Sequence, residues 1–205
     1  MAQRWLILGA GGHGRSVADA IAVNGDHVVG FLDDGQPVGT LVNGTPVLGA
    51  LSLAWELHRL FAASDQAPPD QVVVAIGKPA LRQTWQQVLE QVAAPLGVVL
   101  HPRASVSATV QIGPGSVVLA GAVVNANASL HAGVLVNSGA VVDHDANCGA
   151  YSQLGVNAAM AGGSRLGPLA FLGPGEVLRC GETRFAALKL SPGASDPAEG
   201  LSLKP

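Results

Sequence analysis

Leu130-His131-Ala132-Gly133-Val134-Leu135-Val136-Asn137-Ser138-Gly139-Ala140-Val141-Val142-Asp143-His144-Asp145-Ala146-Asn147-Cys148 sets the rule for half of this chain. Leu130, Val136, Val142 and Cys148 are apolar at every sixth position, and Val134, Ala140 and Ala146, four residues after each of the first three, are slim. The apolar series runs back through Val124, Val118, Ile112 and Val106 to Leu100, and forward through Leu154, Met160 and Leu166 to Leu172. The slim series is Ala104, Val110, Ser116, Ala122, Ala128, then Ser152, Ala158, Ser164 and Ala170, and Glu176 breaks it. A period of six fits neither an α-helix nor a long strand. It fits a solenoid whose short strands turn a corner in every unit. Three units make a triangular coil, so residues eighteen apart stack as neighbours, about 4.8 Å apart. A prism packed this tightly has no room for chemistry inside it, and function belongs to its corners.

Upstream of Leu100 the grammar changes. Trp5–Leu8 is an apolar run ending in glycines, Arg15–Val23 reads as a helix, and His27–Leu32 is a strand ending at Asp33-Asp34. Leu51–Ala62 reads as helical, Asp65–Asp70 as a polar, Pro-rich loop, Gln71–Ile76 as a third strand ending at Gly77, Ala80–Ala93 as a helix and Gly97–Leu100 as a fourth strand. Strands alternating with helices predict a small parallel sheet covered by helices. The expected domains are residues 1–99, residues 100–177 and an irregular tail, 178–205, rich in Ser, Pro and Gly from Leu188.

Composition agrees. Aromatic residues are 4% and charged residues 12% against 48% hydrophobic, so Val, Ala and Gly build the core. A formal net charge of -3 gives no support for nucleic-acid binding. No apolar run approaches the roughly 20 residues that span a bilayer, nothing reads as a signal peptide, and the expected location is the cytoplasm. Cys148 occupies an inward slot and reads as a small core residue; with Cys180 it forms no metal-binding spacing.

Two places carry chemistry. Gly9-Ala10-Gly11-Gly12-His13-Gly14 follows a strand and opens a helix, the setting in which a G-x-G-x-x-G loop presents backbone N–H groups to a diphosphate. Asp33 ends the next strand, where a carboxylate can accept from a sugar hydroxyl or a base. The spacing alone suggests NAD, but the sheet is short for a full dinucleotide fold and only the solenoid follows it. The other place is Asp143-His144-Asp145. His144 falls at a corner, neutral imidazole is a proton acceptor near neutral pH, and a flanking acid can orient it. Counting by eighteen stacks His144 between Ala126 and Gly162, and the Gly162 N–H could face a reacting carbonyl as an oxyanion donor. His101 and His131 read as structural or surface groups, and Asn125, Asn137 and Asn147 as corner residues of the solenoid.

Leu6-Ile7-Leu8-Gly9-Ala10-Gly11-Gly12-His13-Gly14, Gly30-Phe31-Leu32-Asp33-Asp34, Ala75-Ile76-Gly77 and the repeats around Asn137–Asp145 together resemble the NeuD/PglD-type sugar O- and N-acetyltransferases, over roughly residues 3–177. The resemblance implies a Rossmann-like α/β domain followed by a left-handed β-helix, and a homotrimer with acetyl-CoA between neighbouring β-helices. It implies His144 as general base with Asp145 as its carboxylate partner, and no metal. It implies a nucleotide sugar held by Gly9, Gly11, Gly12, His13, Gly14, Asp33, Asp34, Gly77 and Lys78. Acetyl-CoA contacts fall on Gln153, Leu154, Gly162 and Gly163; Gln153 stands where family members often carry a second histidine. The expected reaction is N-acetylation of a nucleotide-linked amino sugar. The alternatives are O-acetylation of sialic acid or a related sugar, a non-catalytic nucleotide-binding trimer, and an NAD-dependent oxidoreductase.

Overall fold

The computed structural model describes residues 2–62 and 67–186. The start of the expected polar loop, at Asp65, and the expected tail from 187 onward lie outside the described residues.

The amino-terminal unit is a sheet of β1 (Arg4–Leu8), β2 (His27–Leu32), β3 (Leu41–Val42), β4 (Thr45–Gly49) and β5 (Gln71–Val74), in the order β3-β4-β2-β1-β5. All pairs are parallel except the β3–β4 hairpin. Helix α1 (Gly12–Val23) joins β1 to β2, a 3-10 turn and α2 (Leu57–Ala62) follow β4, and α3 (Pro79–Gln91) follows β5. The fourth strand is therefore Thr45–Gly49 and not Gly97–Leu100. Asn43 and Gly44 both adopt positive φ, the backbone of a tight hairpin turn, which folds β3 onto β4 and adds β4 beside β2. Val99–Leu100 instead pairs with Val117–Val118 as the first strand of the second unit.

That second unit is the left-handed β-helix. Two-residue strands recur from Val99–Leu100 to Thr183–Arg184 and form three parallel sheets, each strand pairing with the ones eighteen residues away. The second residue of each strand points inward. Val118 through Leu178 fill the prism, and the slim Ala122, Ala128, Ala140, Ala146, Ala158 and Ala170 pack at its corners. Burial pushes the Cys148 thiol up to about 12, as a core cysteine requires. The β-helix does not stop at 177. Val177–Leu178 and Thr183–Arg184 add to the stacks, although Glu176 and Glu182 occupy slim slots. Their carboxylates turn back to accept the N–H groups of Gly173 (2.8 Å) and Arg179 (2.9 Å).

The units share a core. Outward-facing Val99, Val117 and Leu135 of one prism face pack with Val17, Ala18 and Ile21 of α1. Arg82 of α3, only 1% exposed, rivets the junction. Its guanidinium donates to the carbonyls of Gly133 and Tyr151 on the β-helix, and to Ile76 at the end of β5, each at 2.8 Å. Among the described residues no helix is long and apolar enough to cross a membrane.

Candidate active site

Stacking places His144 at an exposed corner, with 62% of its side chain accessible. The Asp145 N–H donates to Ala126 and the Gly163 N–H to His144, the bonds expected of neighbouring coils. His144 Nδ1 lies 2.8 Å from Asp145 Oδ2. An ionised carboxylate only accepts, so Nδ1 carries the proton and Nε2 keeps its lone pair. Asp145, at φ 58, is held through Oδ1 by Asn127 Nδ2 at 3.3 Å. The hydrogen bond to Asp145 and the charge of Asp143 raise the His144 pKa above its usual value. Bonding to His144 and Asn127 holds the Asp145 carboxyl down. Asp143 Oδ1 accepts from Asn125 Nδ2 at 2.8 Å, and Oδ2 stands 4.0 Å from His144 Nε2. Asn127 was not singled out by the sequence; its only signal was its place eighteen residues before Asp145.

Gly162 lies directly beneath the ring. A Cβ there would sit 2.5 Å from Nε2 and 2.6 Å from Cε1, so only glycine leaves the imidazole its position. Among the described residues the Gly162 N–H makes no backbone hydrogen bond, and it is one of the groups holding the Asp143 carboxyl below its usual range, after Asn125 and the His144 N–H. Gly163, at φ 66, is open on its side-chain face. Leu154 is fully buried in the prism, which corrects the expectation of a cofactor contact there: it is the inward member of its strand.

The glycine loop crosses the carboxyl ends of β1 and β5. Gly9 takes φ +106, and a Cβ on it would meet the Ala75 carbonyl oxygen at 2.7 Å; a Cβ on Gly14 would run into the Gly9 carbonyl. These two glycines therefore serve packing. Gly11 and Gly77 have open faces, and a Cβ on Gly12 would meet only Arg15 Nη2, at 3.9 Å. Asp33 does not hang free for a ligand. Its Oδ2 accepts the Ala10 N–H at 2.7 Å and its Oδ1 the Gly35 N–H at 2.8 Å, stapling the loop to β2. Asp34 Oδ1 accepts the Leu51 N–H at 2.8 Å, anchoring the 3-10 turn. The Lys78 carbonyl accepts the Arg82 N–H as α3 begins.

A cleft of about 370 Å³ opens between the units, lined by Gly12, His13, Ser16 and Gly77 on one side and by Asn137, Ser138 and Gln153 on the other. The half-buried His13 imidazole is pushed down to about 4 by desolvation, with the Arg82 charge adding to it, and its Nε2 has no hydrogen-bond partner among the described residues. Gln153 Oε1 accepts from Arg82 Nη1 at 3.3 Å. Sequence reasoning missed Arg82, which binds both walls of this cleft through Ile76 and Gln153.

Within one chain the cleft and His144 do not meet. The cleft lies at the corner of residues 137–140 and His144 at the next corner, 143–146. The prism face between them carries outward Ser105, Val123, Val141, Ala159 and Val177. The face beyond His144 carries Gln111, Ser129, Asn147, Arg165 and Thr183 instead.

Residues 4–89 match the family model of the PglD N-terminal domain. No curated protein sequence matches the chain. Among solved structures, a histidine-to-asparagine variant of perosamine N-acetyltransferase from Caulobacter crescentus, in complex with CoA and GDP-perosamine, is 33% identical, with a TM-score of 0.81 over 89% of this chain and 82% of that one. The acetyltransferase domain of PglB from Neisseria gonorrhoeae, in complex with acetyl coenzyme A, is 31% identical, with a TM-score of 0.73 over 91% and 97% of the two chains. WeeI from Acinetobacter baumannii, 19% identical with a TM-score of 0.62 over 87% and 92%, shares the fold.

Proposed function

We propose that this chain, which belongs to the NeuD/PglD-type family of sugar acetyltransferases, moves the acetyl group of acetyl-CoA to the amine of a nucleotide-linked amino sugar. The observation that carries the reading is the His144 imidazole, fixed by Asp145 at 2.8 Å with Nε2 open above Gly162. Nε2 takes a proton from the sugar amine as its nitrogen attacks the thioester carbonyl carbon. A C–N bond forms, and the Gly162 N–H turns from Asp143 to the developing oxyanion. Collapse breaks the C–S bond, and the CoA thiolate takes the proton back from the imidazolium. The products are an acetamido sugar nucleotide and CoA thiol.

The nucleotide sugar is held in the cleft. The first N–H groups of α1, at Gly12 and His13, receive the diphosphate, with Gly11, Gly77 and Lys78 beside it. Asp33, Asp34, Gly9 and Gly14 act by shaping the loop. Acetyl-CoA lies along the His144 corner past Gly162 and Gly163, reached by Gln153 of a second copy. That arrangement needs a homotrimer, and two features support it. The glycine-loop cleft and His144 sit at opposite edges of one prism face, and that face is an apolar stripe of Val123, Val141, Ala159 and Val177. Packing this stripe against a neighbour brings the His144 edge of one copy to the cleft edge of the next. The reaction belongs in the cytoplasm, where acetyl-CoA is made, and its product is a building block for glycan assembly.

The test is thiol release from acetyl-CoA by the purified chain with a panel of UDP- and GDP-linked amino sugars. His144→Ala should lower kcat/KM by about 10²–10⁴-fold, with the sedimentation behaviour of the assembly unchanged. A variant within about twofold of wild type removes His144 from the mechanism.

A further inference from the structure

Amine and hydroxyl acceptors differ in what they can donate. A neutral amine carries two N–H donors and a lone pair, while a hydroxyl carries one O–H. The His144 corner presents two acceptors. One is Nε2, since Nδ1 is committed to Asp145. The other is Asp143 Oδ2, 4.0 Å away, whose partner oxygen is already held by Asn125 at 2.8 Å. The residues stacked on either side of His144, eighteen positions before and after it, are Ala126 and Gly162, both small. We propose that Asp143 selects amino sugars over hydroxyl sugars by accepting one N–H of the acceptor amine while His144 Nε2 accepts the other.

The geometry suits an amine. A nitrogen about 2.9 Å from each acceptor makes two hydrogen bonds at roughly 90° to one another, near the tetrahedral spread of its N–H bonds. The bond to the sugar takes the third direction, so the lone pair is aimed along the fourth, toward the thioester. A hydroxyl satisfies only one of the two acceptors and turns an oxygen lone pair toward the carboxylate. The protons balance. The amine arrives as an ammonium, gives one proton to Nε2, and the imidazolium passes it to bulk water. The neutral amine then attacks, and Nε2 takes the second proton and hands it to the departing thiolate. The net change is one ammonium and one thioester giving one amide, one thiol and one released proton. Asp143 thus touches the substrate, whereas Asp145 acts through His144.

This inference rests on the acetyltransfer reading, and one experiment separates the two. Thiol release is measured with UDP- and GDP-linked amino-deoxyhexoses and with the same sugars bearing a hydroxyl in place of the amine. Asp143→Asn keeps an oxygen for Asn125 but turns N–H donors toward Nε2. Whatever it does to His144 is shared by both acceptors; beyond that, it should lower kcat/KM for the amine by about 10–10²-fold more than for the hydroxyl sugar, the loss of one hydrogen bond to a charged group. Selectivity then collapses, and Asp143→Glu should restore part of it. Equal losses on both acceptors, with the same displacement of both pH profiles, would mean that Asp143 only tunes His144 and would overturn the proposal. Asn125→Ala is the second variant: it frees Asp143 without altering its charge and should erode selectivity partway; full selectivity here also counts against the proposal. No turnover of either class by the wild-type chain overturns the acetyltransfer reading itself.

Discussion

Replacing Gly162 by alanine tests the His144 corner with one carbon. Gly162 is not among the residues with positive φ, so alanine fits its backbone without strain. The added Cβ, however, would stand 2.5 Å from His144 Nε2. Non-bonded carbon and nitrogen prefer about 3.5 Å, so the ring must retreat by about 1 Å. Because 62% of the side chain is open to solvent, it can do so without disturbing the prism, but the 2.8 Å bond from Nδ1 to Asp145 cannot survive a displacement of that size. Misplacing a reacting group by about 1 Å costs on the order of 10²-fold. Gly162→Ala should therefore fall about 10²-fold in kcat/KM in the thiol-release assay, mostly in kcat, while its melting temperature stays within a few degrees of wild type. Retention of activity within about threefold, or a loss confined to the KM for acetyl-CoA, would refute the proposed position of Nε2 in the reaction.

Asp145→Asn removes the largest cause of the raised His144 pKa; since the base must be neutral to act, the acid limb of the kcat/KM profile should move to lower pH while the plateau drops. Asp33→Ala leaves the Ala10 and Gly35 N–H groups without their acceptor; it should cost about 1–3 kcal/mol of stability and weaken nucleotide-sugar binding through the loop, seen by denaturant unfolding and calorimetry. Arg82→Met strips several buried carbonyls of their donor and should cost at least about 3 kcal/mol in denaturant unfolding. His13 is held neutral, pushed down to about 4 from 6.5. Between those values the unfolded chain binds a proton that the folded chain refuses, so stability is lost as pH falls from 6.5 toward 4, by on the order of 3 kcal/mol. His13→Leu should flatten that part of the pH–stability curve relative to wild type.

The prism was legible because its interior tolerates so little. An inward slot admits one apolar side chain and a corner slot one slim residue, so the six-residue period survives in the sequence from Leu100 to Leu172. The same logic failed at the end. Glu176 read as the break in the pattern, yet its carboxylate, like that of Glu182 one unit later, leaves the slot and binds a corner N–H group. The fourth strand was missed for a different reason. Asn43-Gly44 is a strong hairpin signal, but Pro46 beside it argues against a strand; the structure reconciles them in the short, marginal pair Leu41–Val42 and Thr45–Gly49. Arg82 gave no signal, because a charge on a helix reads as a solvated face until a second domain closes over it.

The candidate site was legible as chemistry and not as geometry. Stacking by eighteen put Gly162 and Ala126 on either side of His144, and the structure keeps that order. The roles of acids are harder to read, since a carboxylate can bind a ligand or a backbone with equal ease. Asp33 and Asp34 both spend oxygens on N–H groups of their own chain, whereas Asp145 spends one on the imidazole and the other on Asn127. Nor does a linear pattern reveal that the two candidate corners face different directions. The glycine loop and the imidazole are separated by an entire prism face, and that face, unlike the one beyond His144, is lined by valines and alanine rather than by Gln, Asn and Arg. That combination is why the proposed assembly packs this face against a neighbouring copy: burying it would remove apolar area from water, and in the same act would bring each imidazole the cleft that its own chain holds too far away.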